Sequence, residues 1–532
     1  MDVITPPEVP PAPESPSRKL SWWRVFVAIS IFLGAVGYTV KTHAPSLDGD
    51  TALTTPVTEP WFAAYVDVTS TPLFPFEQLG ATSTSQVVLS FLVAARDNPC
   101  LPTWGTHYTA DEAATALDLD RRLARLRQQG GQIALSFGGA LNQELATHCT
   151  DEEQLYQAYR QVIERYAVDT IDLDLERDNL TNREANERRA RVIARLQADY
   201  RNTNQRLAVW LTLPVTPQGL TEEGTQTVAH FLEQQVDLAG VNIMTMDYGA
   251  SRLPEQSMLD ASKSAVIETR RQLGILYAQR ELRLSEVTLA RKMGATPMIG
   301  QNDIVEEVFT KEDAEAFNTF AQEQGLGRLS MWSANRDIPC GENYVDTRVV
   351  SDACSGVKSS KGTFGGALSQ GFGGTLSESA GLVTVADGKQ PETIIDDPKV
   401  SPYQIWQENG AYPKGTKVVW HGNVYEAKWW TKKDLPDNPV LQAWETPWQL
   451  VGPVLPGEKP IVQPTLPPGI YPRWSGQVIY EAGSRVLFEG IPFQAKWWNQ
   501  GESPAASSAS PDSSPWIALS QAEIVEILKN RK

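Results

Sequence analysis

Cysteine, histidine and positive charge are all scarce in this sequence of 532 residues. It contains 4 Cys and 5 His, and none of them has the spacing of a zinc site. Lysine and arginine total 47 against 64 aspartate and glutamate, so the net charge is -17. Such a chain repels phosphate backbones, which argues against nucleic acid as a partner. Hydrophobic residues make up 41% of the chain without recurring long apolar runs, which predicts a globular body.

One apolar run does occur near the N-terminus, at Val25–Val40, and it follows Arg18, Lys19 and Arg24. Positive charge on its N-terminal side predicts a cytoplasmic Pro-rich leader at residues 1–24 and an exported body. The run spans about 24 Å, short of the roughly 30 Å hydrocarbon core, so a signal anchor and a cleavable signal peptide both stay open. The long leader favours the anchor. We therefore expect a protein that is extracellular or at the cell surface and tethered to the membrane.

Short apolar and β-branched runs alternate with amphipathic segments from residue 57 onward, which is the pattern of βα units. The runs begin near Trp61, Gln86, Gln132, Val168, Leu207, Leu238, Ala295 and Arg328. The clearest helical segments are 111–129, 152–166, 183–200 and 258–277. Eight such units predict an α/β fold, a (β/α)₈ TIM barrel over residues 57–356. A doubly wound sheet is the alternative, weakened because no Gly-rich phosphate motif follows the first strand.

The composition then shifts to Gly, Ser and Lys, which predicts a flexible linker at 357–398. Beyond it, an internal repeat predicts two small all-β, aromatic-rich modules, module 1 at 399–454 and module 2 at 469–520. A Pro-rich spacer at 455–468 joins them, and a tail follows at 521–532. Thirteen residues of the first copy recur 68 positions later, namely Tyr403, Trp406, Tyr412, Gly415, Val418, Gly422, Ala427, Lys428, Trp429, Trp430, Pro436, Pro447 and Trp448.

Acidic residues are concentrated on the predicted fourth strand, at Asp169, Asp172, Asp174 and Glu176. Alternation along a strand puts the last three on one side, with neighbours roughly 6.5 to 7 Å apart. In a barrel the aliphatic side packs on the helices, so these acids point inward, with Glu176 at the C-terminal mouth. Shielded carboxyls in a line should share protons and raise at least one pKa, as a general acid requires. A solvated acidic strand and a divalent cation site are the alternatives.

These motifs resemble those of glycoside hydrolase family 18, the chitinases, over about residues 57–356. The segment 169–176 matches the family's Asp-x-x-Asp-x-Asp-x-Glu, the third strand carries its Ser-x-Gly-Gly from Ser136, and Trp332 matches its eighth-strand Trp. The resemblance implies that Glu176 protonates the glycosidic oxygen and that Asp174 holds the substrate's N-acetyl group while sharing a proton with Asp172. The acetamido oxygen then attacks to form an oxazolinium ion, with retention and without a cofactor or metal.

One departure from the family concerns strand six, where the usual Met-x-Tyr-Asp is replaced by MTMDY at 244–248. Strand alternation predicts that Tyr248 still faces the barrel, although a tyrosine at the rim is the alternative. Trp332 is expected to be the floor for a sugar ring, with core packing as its alternative. The candidate substrate-binding residues are Tyr248, Asp247, Met244, Trp332 and Ser136. A more conservative interpretation of Ser136, with Gly138 and Gly139, is that they let backbone and hydroxyl approach the acids closely.

The four cysteines suit two disulfides in an exported chain. Cys340 and Cys354 close a short loop after the last strand, and Cys100 could meet Cys149 across the loops after strands two and three. Because the segment between strands seven and eight has no room for an inserted domain, we also predict a shallow, open cleft and internal cleavage.

Both copies of the repeat contain Ala-Lys-Trp-Trp, which resembles the signature of chitin-binding modules of carbohydrate-binding families 5 and 12. The candidate chitin-binding residues are Trp429, Trp430, Trp497 and Trp498. On a regular strand only one Trp of each pair could bind, whereas on a turn both could. Core packing is the expectation for Trp406, Trp448, Trp474 and Trp516. Two modules that engage together could gain avidity of as much as roughly 10² to 10⁴ on an insoluble polymer.

Together these features predict a monomeric, exported endochitinase that is targeted to chitin by tandem modules. A chitin-binding lectin or adhesin on an inactive barrel is one alternative, disfavoured by the presence of Glu176. An endo-N-acetylglucosaminidase acting on glycans or peptidoglycan is another, with the same chemistry.

Overall fold

The structure is a computed structural model of the whole chain. It describes residues 59–78, 84–341, 349–357, 362–379, 394–460, 466–467, 469–504 and 514–530. The predicted leader and membrane segment at 1–40 lie outside these residues. Within the described part of the chain, no helix is long and apolar enough to cross a membrane.

Parallel strands form a closed barrel, as the sequence pattern predicts. The first strand pairs on one side with the second and on the other with the last, which closes the sheet. It has two parts, Trp61–Phe62 and Ala64–Asp67. The other seven strands are Gln86–Ala94, Gln132–Gly138, Thr170–Asp174, Ala208–Thr216, Leu238–Thr245, Met293–Pro297 and Arg328–Leu329.

Helices follow the strands around the outside. They span Ala110–Ala116, Leu119–Gln128, Leu145–His148, Glu152–Arg165, Arg177–Thr181, Arg183–Asn202, Glu222–Glu233, Met258–Ala278, Glu286–Arg291 and Lys311–Gln324. The segment predicted as one helix at 111–129 is two helices, because Asp118 takes a left-handed conformation with φ 50°. Three short antiparallel pairings decorate the barrel, formed by Pro102–Trp104, by Gly219–Leu220, and by Gly300–Gln301 with Val308–Phe309.

Two apolar clusters divide the barrel's core. The larger one fills the layer between strands and helices. The smaller one lies inside the barrel and includes Trp61, Trp210 and Tyr65. The rings of Trp61 and Trp210 meet edge to face with centroids 5.7 Å apart. This packed interior leaves the polar residues of the strands to form a separate layer, described below.

The region predicted as a flexible linker differs from that prediction over residues 364–376. Phe364, Leu368, Phe372 and Leu376 recur every four residues and are all buried in the barrel's two clusters. Leu376 packs with Trp61 inside the barrel and its backbone N–H donates to Gln86. Four widely spaced apolar side chains are enough to bind this segment to the barrel, even though Gly and Ser dominate its composition.

Small β-sheets form the C-terminal region, as predicted. In module 1 they comprise Gln404–Ile405, Lys417–Trp420, Asn423–Ala427 and Trp448–Pro453, with Ala411–Tyr412 paired to Thr431–Lys432. In module 2 they comprise Arg485–Phe488, Ile491–Ala495 and Trp516–Ala518, with Ile479–Tyr480 paired to Asn499–Gln500. The tail contains a helix at Gln521–Lys529.

Each module has its own aromatic core, built from equivalent residues of the repeat. Trp406, Trp448 and Trp516 are buried in these cores, and Trp474 packs against the second one, so the expectation of core packing agrees with the structure.

Two disulfides, Cys100–Cys149 and Cys340–Cys354, are present, which confirms the prediction of a disulfide-bonded chain. Such bonds persist in oxidising compartments.

Candidate active site

The fourth strand turns its acidic side chains into the barrel. Its alternate residues Ile171, Leu173 and Leu175 are buried in the outer cluster against the helices. Asp172 and Asp174 therefore face the interior, where both are buried. Glu176 follows the strand end and is the N-cap residue of the helix Arg177–Thr181, at the barrel's C-terminal mouth. The period-two pattern thus stacks the three carboxyls from the interior to the mouth.

Asp172 is held by four donors. Tyr65 and Ser136 each donate a hydroxyl to Oδ2 at 2.8 Å. Thr212 donates its hydroxyl to Oδ1 at 2.7 Å, and the Arg328 guanidinium donates to the same oxygen at 2.7 Å. Four donors, one of them charged, suit a carboxylate and fix its orientation.

These donors belong to a polar layer that crosses the barrel interior. Asn242 donates to Thr212 at 2.9 Å and to Thr296 at 2.8 Å, and Arg328 also donates to Tyr65 at 2.9 Å. The layer's residues come from seven of the eight strands, namely Tyr65, Ser136, Asp172, Thr212, Asn242, Thr296 and Arg328. A buried network in which every member has a partner holds its parts rigidly.

Asp174 differs sharply from Asp172, although the two are neighbours on one face. Its Oδ1 is buried without a hydrogen-bond partner, and no hydrogen bond joins the two carboxyls among the described residues. The expected sharing of a proton between Asp172 and Asp174 therefore differs from the structure, because donors occupy both oxygens of Asp172. The expected rise of at least one pKa agrees with it. Burial raises the pKa of Asp174 well above its usual range, and the negative charges of Glu176 and Asp172 add to this against Arg328. Burial thus favours the protonated form of Asp174.

Glu176 has the protonation behaviour of a general acid. Burial raises its pKa to about 7, the positive charge of Arg177 opposes the rise, and the negative charges of Asp247 and Asp303 reinforce it. Burial is therefore the main cause, and of the charged neighbours Arg177 is the next residue in the chain, whereas Asp247 and Asp303 come from other loops of the mouth. A carboxyl that titrates near neutrality can both hold and release a proton there.

Asp247 lies after the sixth strand, close enough to Glu176 to influence its charge. Its own pKa is raised to about 6, first by burial and then by Asp303, against backbone N–H donors from Ile304 and Asp303. The buried Glu307 carboxylate accepts the backbone N–H groups of Tyr248 at 2.8 Å and Gly249 at 2.9 Å. The turn that carries Asp247 is thereby pinned to the loop after strand seven.

The prediction that Tyr248 faces the barrel disagrees with the structure. Its ring is buried in the outer cluster, and its hydroxyl donates to Ser262 on the helix Met258–Ala278 at 3.2 Å. The physical reason is the left-handed conformation of Asp247, with φ 49°, which ends the strand's alternation one residue earlier. Met244 keeps the inward side that Asn242 shows, and it is partly exposed.

Ser136 is buried and donates to Asp172, which agrees with the more conservative interpretation, a close approach of its hydroxyl to the acids, rather than with direct substrate binding. The two glycines that follow it permit a close approach of strands three and four. A Cβ on Gly138 would lie 2.0 Å from the carbonyl oxygen of Asp174, and the N–H of Gly139 donates to that same oxygen at 2.9 Å. The third strand therefore positions the acids.

Trp332 lies at the end of the eighth strand and is partly exposed. Its ring stacks on Phe91, with centroids 5.4 Å apart and planes 25° apart, and meets Tyr65 edge to face at 6.1 Å. Phe91 is also partly exposed, so the two rings form an aromatic surface that rests on the polar layer. A flat aromatic face of this kind suits the C–H face of a sugar.

The alternative of a cation site on the acidic strand has little support in the geometry. Both oxygens of Asp172 already accept from donors, one of which is a guanidinium. In the described part of the chain, no group of three or more His, Cys, Asp or Glu is placed to hold a metal. Asp169 precedes the strand and lines a surface groove with Tyr200 and Arg206, apart from the other three acids.

The Trp pairs of the modules lie on bends between two strands, not within a regular strand. In both copies the preceding lysine sits over the first Trp, with Nζ 4.8 Å from the Trp429 centroid and 4.6 Å for Trp497. The second Trp differs between the copies, because Trp430 is partly buried whereas Trp498 is 56% exposed. Identical sequence motifs thus have unequal surroundings.

Comparison with known proteins relates the chain to chitinases, although no family model matches it. It is 33% identical over 289 residues to a probable bifunctional chitinase/lysozyme of Escherichia coli, covering 53% of this chain and 31% of that protein. It is 32% identical over 285 residues to endochitinase 11 of Metarhizium anisopliae, covering 52% of each. The chain thus spans about half or less of the curated relatives that it matches.

A solved structure shows the same similarity. Active domain 2 of the chitinase from Pyrococcus furiosus, crystallised as catalytic site mutants, aligns with a TM-score of 0.50 and 25% identity. The match covers 60% of this chain and 99% of that domain. These similarities support a glycoside hydrolase barrel of the chitinase type, as the motifs on strands three, four and eight indicate.

Several residues of the site were missed by sequence reasoning. Tyr65, Thr212 and Arg328 each bond Asp172, and Asp303 and Glu307 come from the loop after strand seven. Arg328 offered a signal, since a charged residue at the start of an apolar barrel strand has to find a buried partner. The loop residues offered none, because their approach to Asp247 depends on how distant segments fold together.

Proposed function

We propose that this chain is an endo-acting chitinase that hydrolyses the β-1,4 bonds between N-acetylglucosamine units with retention. The observation that carries the proposal is Glu176, a carboxyl at the barrel mouth whose pKa is raised to about 7, next along the same face to Asp174, whose pKa burial raises well above its usual range. Similarity to proteins named as chitinases supports the substrate class.

Glu176 donates its proton to the glycosidic oxygen as the bond to the leaving sugar breaks. Burial keeps a useful fraction of this carboxyl protonated near neutral pH. After departure of the leaving sugar the same carboxylate accepts a proton from the incoming water, which regenerates the acid. One group with a pKa near 7 can serve in both directions.

Asp174 orients the substrate's N-acetyl group. Its unpartnered, buried Oδ1 is available to accept the acetamido N–H, which turns the acetamido oxygen toward the anomeric carbon. That oxygen forms the new bond and gives an oxazolinium ion, which water opens with overall retention, so no carboxylate nucleophile is required. Asp172, locked by its four donors, supplies a fixed negative charge below.

Trp332 serves as floor for the sugar ring, with Phe91 stacked beside it. The loop between strands seven and eight contains only a short hairpin and the helix Lys311–Gln324, with no inserted domain. An open cleft favours binding within a polymer chain, so cleavage is internal. Products released from soluble polymer should include a range of lengths from the first turnovers.

The C-terminal modules hold the enzyme on insoluble chitin through their exposed tryptophans. Export places both in contact with an extracellular polymer, and the two disulfides support an oxidising destination. Attachment through the predicted segment at Val25–Val40 belongs to the same proposal.

Replacing Glu176 by Gln in the full chain tests the proposal. The amide cannot donate a carboxyl proton, so hydrolysis of colloidal chitin should fall by roughly 10²- to 10⁴-fold while pull-down on chitin stays unchanged. Asp178→Asn is the matched control, since it removes an exposed acid two residues away and should retain activity. Retained hydrolysis in Glu176→Gln would reject the assignment of the acid.

A second candidate substrate is peptidoglycan, because one relative's name couples chitinase with lysozyme. Assaying colloidal chitin and peptidoglycan side by side decides between them. Release of reducing ends from peptidoglycan at a higher kcat/KM would favour the second candidate.

A further inference from the structure

The two modules contact each other through Trp430, the second tryptophan of the motif in module 1. Trp430 of module 1 packs against the aromatic cluster of module 2, with its ring 6.5 Å from that of Phe488. Its indole Nε1 is buried without a hydrogen-bond partner. Next to this contact, Lys432 of module 1 forms an ion pair with Glu489 of module 2 at 2.6 Å. An aromatic contact and an ion pair thus join the same two surfaces.

The equivalent contact cannot form in the opposite direction. The residue of module 1 that corresponds to Phe488 is Trp420, whose ring meets Trp406 at 4.9 Å and His421 at 4.2 Å. Its Nε1 donates to Asp437 at 2.9 Å, and Asp437 also bonds His421. These contacts lie within module 1, and no aromatic of module 2 reaches them in the described part of the chain.

Module 1 is also attached to the barrel. Arg271 donates to the carbonyl oxygens of Val440 at 2.6 Å and Leu441 at 3.1 Å, and Gln272 donates to Leu441 at 3.0 Å. The buried Gln442 donates in turn to the carbonyl oxygen of Leu220 at 3.3 Å. The loop 440–442 of module 1 thus both accepts hydrogen bonds from the barrel and donates one to it. Module 1 lies between the barrel and module 2, bonded to each.

In module 2 both tryptophans of the motif are exposed to solvent. Trp497 is 42% exposed and Trp498 is 56% exposed, and among the residues that the structure describes neither packs against module 1 or the barrel. A sugar ring stacks only on an aromatic face that solvent can reach. Trp430 packs against Phe488 and is partly buried there, whereas the ring of Trp498 remains exposed to solvent.

We infer that the two copies have divided their roles, with module 1 acting as a rigid connector to the barrel and module 2 presenting the tryptophans that bind the polymer. This inference rests on the proposed chitin-binding function of the modules. It replaces avidity from two equivalent sites by one site at a fixed position relative to the catalytic cleft. The Ala-Lys-Trp-Trp motif of module 1 then stabilises an interface.

The test compares equivalent positions of the repeat in the full chain, in a Glu176→Gln background so that the polymer is not consumed. Trp498→Ala should raise the half-saturating concentration on insoluble chitin by roughly 5- to 100-fold, the range expected for loss of one stacked ring. Trp430→Ala should change it by less than about twofold. Equal losses in the two variants, or a larger loss for Trp430→Ala, would overturn the inference.

A zero-length cross-link tests the interface separately from binding. A carbodiimide joins the Lys432 amine to the Glu489 carboxyl as an amide with loss of water, and mass spectrometry identifies the joined peptides. We expect the cross-link in the parent chain and its loss in Trp430→Ala. Its absence from the parent chain would overturn the docking. Unchanged chitin binding in Trp498→Ala and Trp430→Ala together, with the cross-link present, would instead reject chitin targeting by the modules and leave the interface standing.

Discussion

The barrel and the modules place their functional side chains in opposite relations to water. In the barrel, Asp172 and Asp174 are buried, and burial is the main reason that the pKa values of Asp174 and Glu176 are raised. In module 2, Trp497 and Trp498 are large apolar side chains left in solvent. Each arrangement is unfavourable for the isolated group, since charge prefers water and indole prefers the core. The proposed hydrolysis depends on the buried carboxyls, and the proposed adhesion to chitin depends on the exposed tryptophans.

The two regions should therefore respond to different perturbations. Changes in the barrel should alter stability and protonation, because its residues are coupled through a buried network. Changes on the module surface should alter adhesion alone, because exposed side chains have few partners. Four variants or pairs of variants test this separation.

The largest effect is expected at Arg328, whose charge faces the buried Asp172. Arg328→Met leaves that carboxylate without a cation, which should cost about 3–5 kcal/mol in the free energy of unfolding. Lys432→Met is the matched control, because it breaks an ion pair at a partly exposed site and should cost about 0–1 kcal/mol. Urea unfolding followed by near-UV circular dichroism measures both. Similar losses for the two would remove the distinction between barrel and modules.

Adhesion should be lost without loss of chemistry when the module 2 tryptophans are removed. Trp497→Ala combined with Trp498→Ala should weaken binding to insoluble chitin by roughly 10- to 100-fold. The kcat/KM on a soluble chito-oligosaccharide should stay within twofold of the parent, because neither ring belongs to the barrel. Parallel depletion and hydrolysis assays check this. A fall in soluble hydrolysis would mean that module 2 contributes to the catalytic cleft.

A smaller effect is expected at Tyr248. The family resemblance implies that this residue binds the sugar, whereas the structure buries it against the helix Met258–Ala278. Tyr248→Phe removes the hydrogen bond to Ser262, which should cost about 1 kcal/mol in the free energy of unfolding. Ser262 keeps its own bond to the carbonyl oxygen of Met258, so no new group is left unsatisfied. The KM for soluble substrate should not change. A raised KM with unchanged stability would restore the sugar-binding role.

The smallest effect concerns the alkaline limb of activity, which should lie near pH 7 as Glu176 loses its proton. Asp303→Asn removes a negative charge that raises the Glu176 pKa, so the limb should move to lower pH. Arg177→Gln removes a positive charge that lowers this pKa, so the limb should move to higher pH. Each shift should be under about one unit, because both residues are exposed and screened by salt. Profiles of kcat/KM against pH that move in the same direction would contradict this electrostatic account.

Much of the fold followed from local patterns. Eight apolar runs with amphipathic segments between them predict the barrel because strand and helix periodicities are properties of neighbouring residues. The repeat at a fixed offset likewise predicts two similar modules. The segment at 364–376 escaped prediction because its four apolar residues are separated by Gly and Ser, and only the barrel surface gives them a common partner.

The site was predictable in part for the same reason. Alternation on one strand was enough to place Asp172, Asp174 and Glu176 on a single face. Tyr248 was misplaced because the left-handed conformation of Asp247 cannot be inferred from alternation.

Local patterns along the chain set which elements form and which acids share a face, since both depend on residues a few positions apart. Which carboxyl binds a guanidinium and which has a raised pKa was set by the fold, because that depends on Arg328, Asp247 and Asp303, which come from distant strands and loops. The fold also decided which of two identical tryptophan pairs stays open, since Trp430 meets Phe488 across a module boundary. Burial and electrostatic interactions depend on distances in space between residues that are far apart in the sequence, and a local sequence pattern does not specify those distances.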